Sequence, residues 1–533
     1  MPEGRNVVII GGGHNGLVTA FYLAKAGFKP LVLERRQQPG GAAITEEFYP
    51  GFRCSTLAHA AGPIRPDIIR DMQLEGHGLR LITPDISVVS LSPDGRALIL
   101  HNDTQKSAQE VAKFSQKDAA KYPEFQGSLA KMGKVIAEAL ALAPPNIDNP
   151  SRGDLWGMLQ TGRAIRKLGR KDMYRLLRWG PMAIADLVAE FFETELLRAT
   201  IAARGIFGTF FGPWSAGTSL VLLIRSAGDS HPAGSAYFAA GGMGSITQAM
   251  VSASKAAGAE IRNGVEVIEV RVKDGVATGV VLSTGEEINA KAVISNADPK
   301  RTLLKLVDPT HLSPNFVQKL QHYRMPGTVA KINLALSALP NFTALQNTSL
   351  VTSNGNALSG RIHIGPEIDY LERAFDESKY GNFSRQPYLE IAIPSITDPS
   401  LAPAGKHVMS IYMQYAPHKL KTSDWESQRS ALGETVVKKL AQYAPNLPEL
   451  ILSHQIITPQ DLEDIYGLTG GHIFHGELAL DQFFTMRPLL DWARYRTPIR
   501  NLYLCGSGTH PGAGLTGGSG ANAAREILKH LKK

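Results

Sequence analysis

Three hydrophobic patterns follow one another between residues 6 and 34, which read NVVIIGGGHNGLVTAFYLAKAGFKPLVLE. The unbroken apolar run NVVII has the pattern of a strand buried on both faces. After a glycine turn, apolar residues recur at the three-to-four spacing of an amphipathic helix. A second apolar run, PLVLE, then ends on the acid Glu34. Further along, TVAKINLALSAL, YLEIAIPS and HVMSIYMQYAP alternate as strands do, and they predict a sheet forming one wall of a cavity. AKMGKVIAEALALA and MAIADLVAEFFETELLRATIAARG read as helices, so the first half of this middle region is the richer in helix. No apolar run reaches the roughly 18 residues that a membrane-crossing helix needs.

Strand, glycine turn, helix and terminal acid together make a unit that binds a dinucleotide. Gly11 permits the tight turn, Gly13 lets the backbone approach a pyrophosphate, and Gly16 lets the helix pack on the strand. His14 and Asn15 stand where the helix begins, and its N-terminus offers N–H groups and a partial positive charge to phosphates. Glu34 falls 18 residues after Gly16, where a carboxylate accepts both hydroxyls of an adenosine ribose and disfavours a 2′-phosphate. The ligand is therefore FAD or NAD. The chain continues RRQQPGGAAITEEFYPGF, and a second pair, Gly40 and Gly41, followed by Ala42, lets another loop cross the phosphate and ribityl region of an extended FAD. Arg35 or Arg36 is placed to neutralise phosphate charge. A glycine turn that merely packs its strand and helix is the plainer alternative.

A second glycine cluster imitates this unit. Gly241, Gly242 and Gly244 open a helix, with Glu266 as the would-be acid. The preceding strand is short and the acid falls inside the following strand, so a packed unit without a nucleotide is expected there.

The N-terminal blocks, with FAAGGMGSITQAM, AVISNADP, TGGHIFHGELALDQFFTMRP and YRTPIRNLYLCGSGTHPGAGLTG, resemble the phytoene desaturase-like branch of FAD-dependent oxidoreductases. More narrowly, they resemble the pyridine nucleotide-disulfide oxidoreductase domain-containing protein 2 family and its bacterial relatives. The resemblance runs from residue 6 to the C-terminus and is weakest over residues 100–230 and 310–460. It implies FAD as cofactor and an α/β fold. A Rossmann-like FAD-binding domain would be assembled from three segments, residues 1–75, 232–305 and 465–533. Residues 76–231 and 306–464 would form an α+β substrate domain with a sheet and a helical portion. The implied activity is desaturation, saturation or isomerisation of C–C bonds in a small apolar, isoprenoid-like substrate.

The same resemblance assigns the C-terminal glycine segment to the ribityl chain and flavin ring. Gly506 and Ser507 match a ribityl or phosphate contact, with Ser507 standing where many flavoproteins carry Asp; Gly514, Leu515, Thr516 and Gly517 match the turn beside the ring, and Val267 is set against the adenine. A helix starting near Gly518 is expected to offer unpaired N–H groups that stabilise negative charge as flavin is reduced. The family name promises a redox disulfide, but Cys54 and Cys505 are far apart and form no CxxC pair, so neither dithiol chemistry nor a metal site is expected.

Three residues of GGHIFHGELALDQFFTMRP are the catalytic candidates. His472 and His475 are of a type that moves protons near neutral pH, and Arg487 could hold an anionic substrate or a reduced flavin. His510, inside the C-terminal loop, is a further candidate. A histidine in a glycine-rich turn equally serves to satisfy backbone carbonyls. Two rival readings stay open: an amine-oxidase-like enzyme, for which no paired-aromatic motif stands out, and a flavin-bearing interaction protein with vestigial redox activity. The electron acceptor and the oligomeric state carry no signature in the sequence.

Composition narrows the setting. The chain of 533 residues is 43% hydrophobic and 20% charged, which fits an ordinary globular protein of at least two domains. A net charge of +8 favours anionic ligands or an anionic lipid surface, and without any zinc-finger, RNA-recognition or basic-zipper pattern nucleic acid is not an expected partner. One run, GRAIRKLGRKDMYRLLRWGP at residues 162–181, gathers seven cations among Ile165, Leu168, Met173, Leu176, Leu177 and Trp179. It reads as a basic amphipathic helix for peripheral membrane contact, or as a solvated helix face. The first strand begins too early for a signal peptide, so a cytoplasmic setting is expected, with residues 162–181 as the candidate contact to a membrane face.

Overall fold

The run Arg5–Ile10 forms the central strand of a parallel sheet in the computed structural model, which describes residues 5–60, 62, 64–346, 356–512 and 514–532. On one side it pairs with Pro30–Glu34, which pairs in turn with Glu260–Asn263; on the other it pairs with Glu287–Ser295, flanked by Leu502–Leu504. Val7 to Ile10 and Leu31 to Leu33 are all buried, as strands covered on both faces require. Val267–Lys273 and Val276–Leu282 extend this seven-stranded sheet antiparallel from the first half of Glu287–Ser295.

Helices His14–Lys25 and Gly518–Leu531 pack closely beside the parallel strands. Thr19 Oγ1 donates to the Gly520 carbonyl at 3.1 Å. The approach is open only to glycine, because a Cβ on Gly520 would lie 2.3 Å from the Asn15 carbonyl oxygen. Residues more than 500 positions apart in sequence are thereby held at one end of the sheet.

A second seven-stranded sheet runs in the order Ile451–Ile457, Val329–Leu336, His407–Gln414, Tyr388–Ala392, Arg361–Ile364, Ile86–Leu91, Ala97–His101. Only the pairing of Arg361–Ile364 with Ile86–Leu91 is parallel. The alternation of its strands divides the two faces. Ile332, Leu334, Ile362, Leu389, Ile411 and Met413 form a core with Leu432, Val436 and Leu440 of helix Trp425–Ala441. Lys331, Asn333, Glu390 and Tyr412 occupy alternate positions and so emerge on the other face.

A helical layer completes the molecule around Tyr122, Phe125, Leu129, Trp179 and Phe192. The stretch MAIADLVAEFFETELLRATIAARG forms two helices, Ile184–Ala189 and Glu195–Ile206, where its spacing suggests one. The break is held by the buried Asp118 carboxylate, which accepts the N–H groups of Glu193 at 2.9 Å and Thr194 at 2.8 Å. The basic run is likewise divided, into Arg152–Lys167 and Gly169–Trp179, with Gly169 at φ +78°.

Candidate active site

Residues of both sheets line one cavity of about 950 Å³, near the upper end of the range that small-molecule sites occupy. At one end the wall is the first glycine turn. Gly11, Gly13, His14 and Asn15 line it together with Glu34, Arg35, Gly41, Ala42 and Val267. The Glu34 carboxylate accepts the Gly12 N–H at 2.7 Å and the Arg36 N–H at 2.9 Å. Each oxygen thus spends one lone pair on the turn and keeps another for a ribose hydroxyl. Arg35 donates to the Ile465 carbonyl at 2.5 Å, which anchors it at the rim.

The two glycine loops touch. Gly13 and Gly40 form an isolated parallel bridge, and a Cβ on Gly41 would stand 3.2 Å from the Gly13 Cα. Gly16 and Gly40 lie behind the lining. A Cβ on Gly16 would sit 2.3 Å from the Gly11 carbonyl oxygen, and one on Gly40 2.7 Å from that of Ala43. Their work is backbone packing.

Ser507, Gly514, Leu515 and Thr516 bring the C-terminal segment to the same cavity, with Gly506 and Gly517 behind them. Asn15 ties the two walls together: its Nδ2 donates to Ser507 Oγ at 3.1 Å, and its Oδ1 accepts the Gly520 N–H at 3.1 Å. The helix does begin at Gly518, but its first N–H groups are not all free as the sequence suggests. Thr516 Oγ1 takes that of Gly518 at 3.1 Å, and Asn15 takes that of Gly520. Thr516 bends back onto the helix end from just before it and Asn15 reaches it from the first helix, and spacing alone does not reveal either contact.

The second glycine cluster holds no phosphate site. Gly241 N–H donates to Asp398 Oδ2 at 2.5 Å, Met243 N–H to Ser55 Oγ at 2.9 Å and Gly244 N–H to Thr45 Oγ1 at 2.9 Å. The protein's own side chains fill that helix N-terminus.

The other half of the cavity is built on one cross-strand row. Lys331 lies opposite Tyr412, Tyr412 opposite Glu390, and Glu390 opposite His363, so the four side chains share a face. Arg361 Nη1 reaches Glu390 Oε2 at 2.5 Å, and His59 Nε2 lies 3.4 Å from Oε1. Burial raises the pKa of Glu390, but Arg361 and then His59 outweigh it and hold the carboxyl well below the usual range. Lys331 Nζ donates to Asn333 Oδ1 at 2.8 Å and also bonds Ser410 Oγ, with the Tyr412 ring centroid 5.0 Å away. No carboxylate among the described residues pairs with it, and burial pulls its pKa down to about 7. Phe207 meets Tyr412 and Phe474 edge to face, with centroids 5.1 and 6.4 Å apart, and extends the row into an aromatic wall.

A family model described as flavin containing amine oxidoreductase matches residues 16–528. The chain belongs to the flavin-containing amine oxidoreductases. Pyridine nucleotide-disulfide oxidoreductase domain-containing protein 2 of Rattus norvegicus is 37% identical, covering 100% of this chain and 94% of the rat protein. A limonene dehydrogenase component of Castellaniella defragrans is 28% identical over 99% of the chain and 95% of its own length. The neurosporene-forming phytoene desaturase of Cereibacter sphaeroides is 27% identical over 97% of the chain and 92% of its own length. Among solved structures, a triple mutant of putrescine oxidase has the same fold, with a TM-score of 0.61 at 16% identity and 99% of both chains covered.

This flavoenzyme is therefore an FAD-dependent oxidoreductase with a Rossmann-like FAD domain and a substrate domain. The residues fit the cofactor: two crossing glycine backbones, the N-terminus of helix His14–Lys25 and the spare lone pairs of Glu34 form the donor and acceptor set of a dinucleotide. Of the sequence-derived catalytic candidates, only His475 lines the cavity. Burial lowers its pKa, as it lowers that of neighbouring His14 to about 4. His472 lies behind, accepting the N–H groups of Phe474 at 3.2 Å and Gly476 at 3.4 Å; burial, then Arg487, push its pKa to about 3. It is a neutral loop clasp, unsuited to proton transfer near pH 7. His510 is also buried off the cavity, and burial pushes it to about 3.

Arg487 does not line the cavity. It is fully buried, and its guanidinium donates to the carbonyls of Phe474 at 3.0 Å, Glu477 at 3.0 Å and Ser507 at 2.8 Å. It ties the loop of residues 474–482 to the Ser507 wall. Cys54 and Cys505 are both free and buried, and burial pushes each thiol up to about 12, so the disulfide chemistry in the name of the rat relative has no counterpart here.

The cavity residues missed from the sequence are Lys331, Tyr412, Glu390, Arg361 and His59. A lone lysine in the apolar strand run TVAKINLAL was the available signal.

Proposed function

We propose that this oxidoreductase acts on carbon–carbon bonds of an uncharged, apolar substrate of isoprenoid type, by desaturation, saturation or isomerisation. The observation that carries this reading is that the substrate half of the cavity neutralises its own charges. Glu390 is answered by Arg361, and Asp229 by Arg204 at 3.4 Å. Arg225 donates to the carbonyls of Arg204 and Phe207, both at 2.7 Å, at the C-terminal end of helix Glu195–Ile206, where the helix dipole favours a cation. What remains for a substrate, apart from Lys331, is mostly aliphatic and aromatic surface. Two of the relatives, the limonene dehydrogenase component and a phytoene desaturase, carry names that specify hydrocarbons of this kind.

FAD, when bound, supplies the two-electron acceptor or donor. Desaturation also releases a proton, and Lys331 is the cavity residue whose pKa lies near 7. As a neutral amine it satisfies its two N–H donors on Asn333 Oδ1 and Ser410 Oγ, which leaves one lone pair to take the proton. In the reverse direction the ammonium returns it. An ammonium substrate fits less well, because this half of the cavity carries Arg204, Arg225, Lys331 and Arg361 against only Asp229 and Glu390. Solvent extraction of the purified protein followed by mass spectrometry tests the reading. An uncharged polyene or terpene-like molecule is the expected result, and an extract containing only polyamines or amino acids would reverse the assignment.

A further inference from the structure

Helix Arg152–Lys167 lies on the outside of the molecule without one buried side chain. Most helices in proteins owe their stability to packing of one face, and here that face, at Gly157, Ala164 and Ile165, is only half-buried. It is nevertheless held in place. Ser151 and Asp154 close its first turn as a capping box, and Asp154 also accepts Arg494 Nη1 at 2.9 Å, while Arg494 reaches Glu526 at 3.1 Å. Its outer surface presents Leu155, Trp156, Met158 and Leu159, exposed by 54, 56, 53 and 47%, and Ile147 just before it is 67% exposed. Scattered exposed apolar residues are ordinary, but a contiguous group around a tryptophan marks a contact surface.

The same surface turns basic toward its C-terminal end. Arg163, Arg166, Lys167 and Arg170 are exposed, and none of them joins an ion pair among the described residues. The later cations of the run behave differently. Lys171 and Arg175 each pair with Glu124 at 2.8 Å, Arg178 pairs with Glu190, and Trp179 is buried in the core. The contact surface is thus displaced toward the N-terminus from residues 162–181. It also lies close to the cavity: Ala137, Leu140 and Ala141 line the cavity, and Leu142 sits against Gly157, where an added Cβ would lie 3.4 Å from Leu142 Cδ1.

We propose that helix Arg152–Lys167 docks on an anionic lipid bilayer and brings the cavity wall at Leu140 close to the bilayer surface. Leu155, Trp156, Met158 and Leu159 enter the interface, while Arg163, Arg166, Lys167 and Arg170 meet the headgroups. Leu155, Met158 and Leu159 match acyl chains better than the phosphates a nucleic acid presents, and a second copy of the chain would bring two unpaired basic clusters together. Passage of substrate from the bilayer rests on the proposed apolar chemistry; the docking itself does not.

The test is sedimentation of FAD-loaded protein with vesicles of phosphatidylcholine alone or mixed with phosphatidylserine. Binding to the mixed vesicles is expected, weakening as salt rises within the screening range. A Trp156→Glu, Leu159→Glu variant and an Arg163→Gln, Arg166→Gln, Lys167→Gln, Arg170→Gln variant should each lose binding by about tenfold or more with FAD content unchanged. Lys171→Gln, whose lysine is already paired, should bind as the parent does. Absence of binding, or equal binding by parent and both variants, overturns the proposal. So does loss in the basic variant alone, which would indicate an acidic macromolecule, and so does a dimer in solution that the Trp156→Glu, Leu159→Glu variant abolishes.

Discussion

Replacing Gly16 with alanine is expected to give a protein that carries no FAD. The added Cβ would lie 2.3 Å from the Gly11 carbonyl oxygen and 3.3 Å from the Asn296 Cβ. The first of these neighbours is backbone and cannot swing aside. Helix His14–Lys25 would have to lift from strand Arg5–Ile10, taking with it the N–H groups that face the phosphates and straining the Glu34 hold on Gly12. Overpacking of this kind costs about 1–3 kcal/mol, and more where the backbone itself must move. The readouts are flavin absorbance per mole of protein and the midpoint of thermal unfolding. Gly27→Ala is the control for strain without collision: Gly27 has positive φ, +92°, which Gly16 inside its helix does not share, and nothing lies within 4 Å of its Cβ position. It should keep its FAD. Full FAD content in the Gly16 variant would show that the turn does not carry the cofactor.

Lys331→Met is expected to lower turnover by about 10²–10⁴-fold while leaving FAD in place. In the parent enzyme, desaturation should accelerate as pH rises through about 7, where Lys331 becomes a neutral amine, and the variant should lack that limb. The same substitution should stabilise the fold. The folded-state pKa of about 7 lies below the ordinary lysine value of about 10.4, so between those values the unfolded chain holds a proton that the folded chain has lost. Parent stability therefore rises with pH across this window, and below pH 7 the folded state carries the whole penalty, on the order of 5 kcal/mol. Methionine removes the charge at little change in length. Its stabilising effect in denaturant titrations should be largest near pH 6 and fade toward pH 10. An unchanged rate would remove Lys331 from the chemistry, and a variant less stable at pH 6 would show the lysine to be structurally required.

The nucleotide end of the cavity is legible in the sequence because its physics is local. Gly11, Gly13, His14, Asn15 and Glu34 all fall within one strand–turn–helix–strand unit, where spacing alone dictates which backbone can approach a phosphate. The C-terminal wall, Ser507 with Gly514 to Thr516, is legible only through family resemblance, since nothing near it in sequence announces a partner some 490 residues away. The substrate wall is harder still. Lys331, His363, Glu390 and Tyr412 meet through the register of four strands, and register depends on loops whose geometry cannot be read from composition. His472 and Arg487 show the converse. Their side-chain types suit catalysis, but both turn toward backbone groups of their own loop, and only the folded chain reveals that direction. The basic run illustrates a third case: its charges were visible, while the acids that pair with Lys171, Arg175 and Arg178 lie on distant turns.

The most direct measurement is anaerobic incubation of the FAD-loaded protein, oxidised or reduced with dithionite, with isoprenoid hydrocarbons and separately with amines, following flavin absorbance and product mass together. The account predicts hydrocarbon products that have lost or gained two hydrogen atoms with a matching change in the flavin, or that carry a moved double bond at unchanged mass, and no reaction with amines. Reduction of the flavin by amines, with every hydrocarbon recovered unaltered, would contradict it.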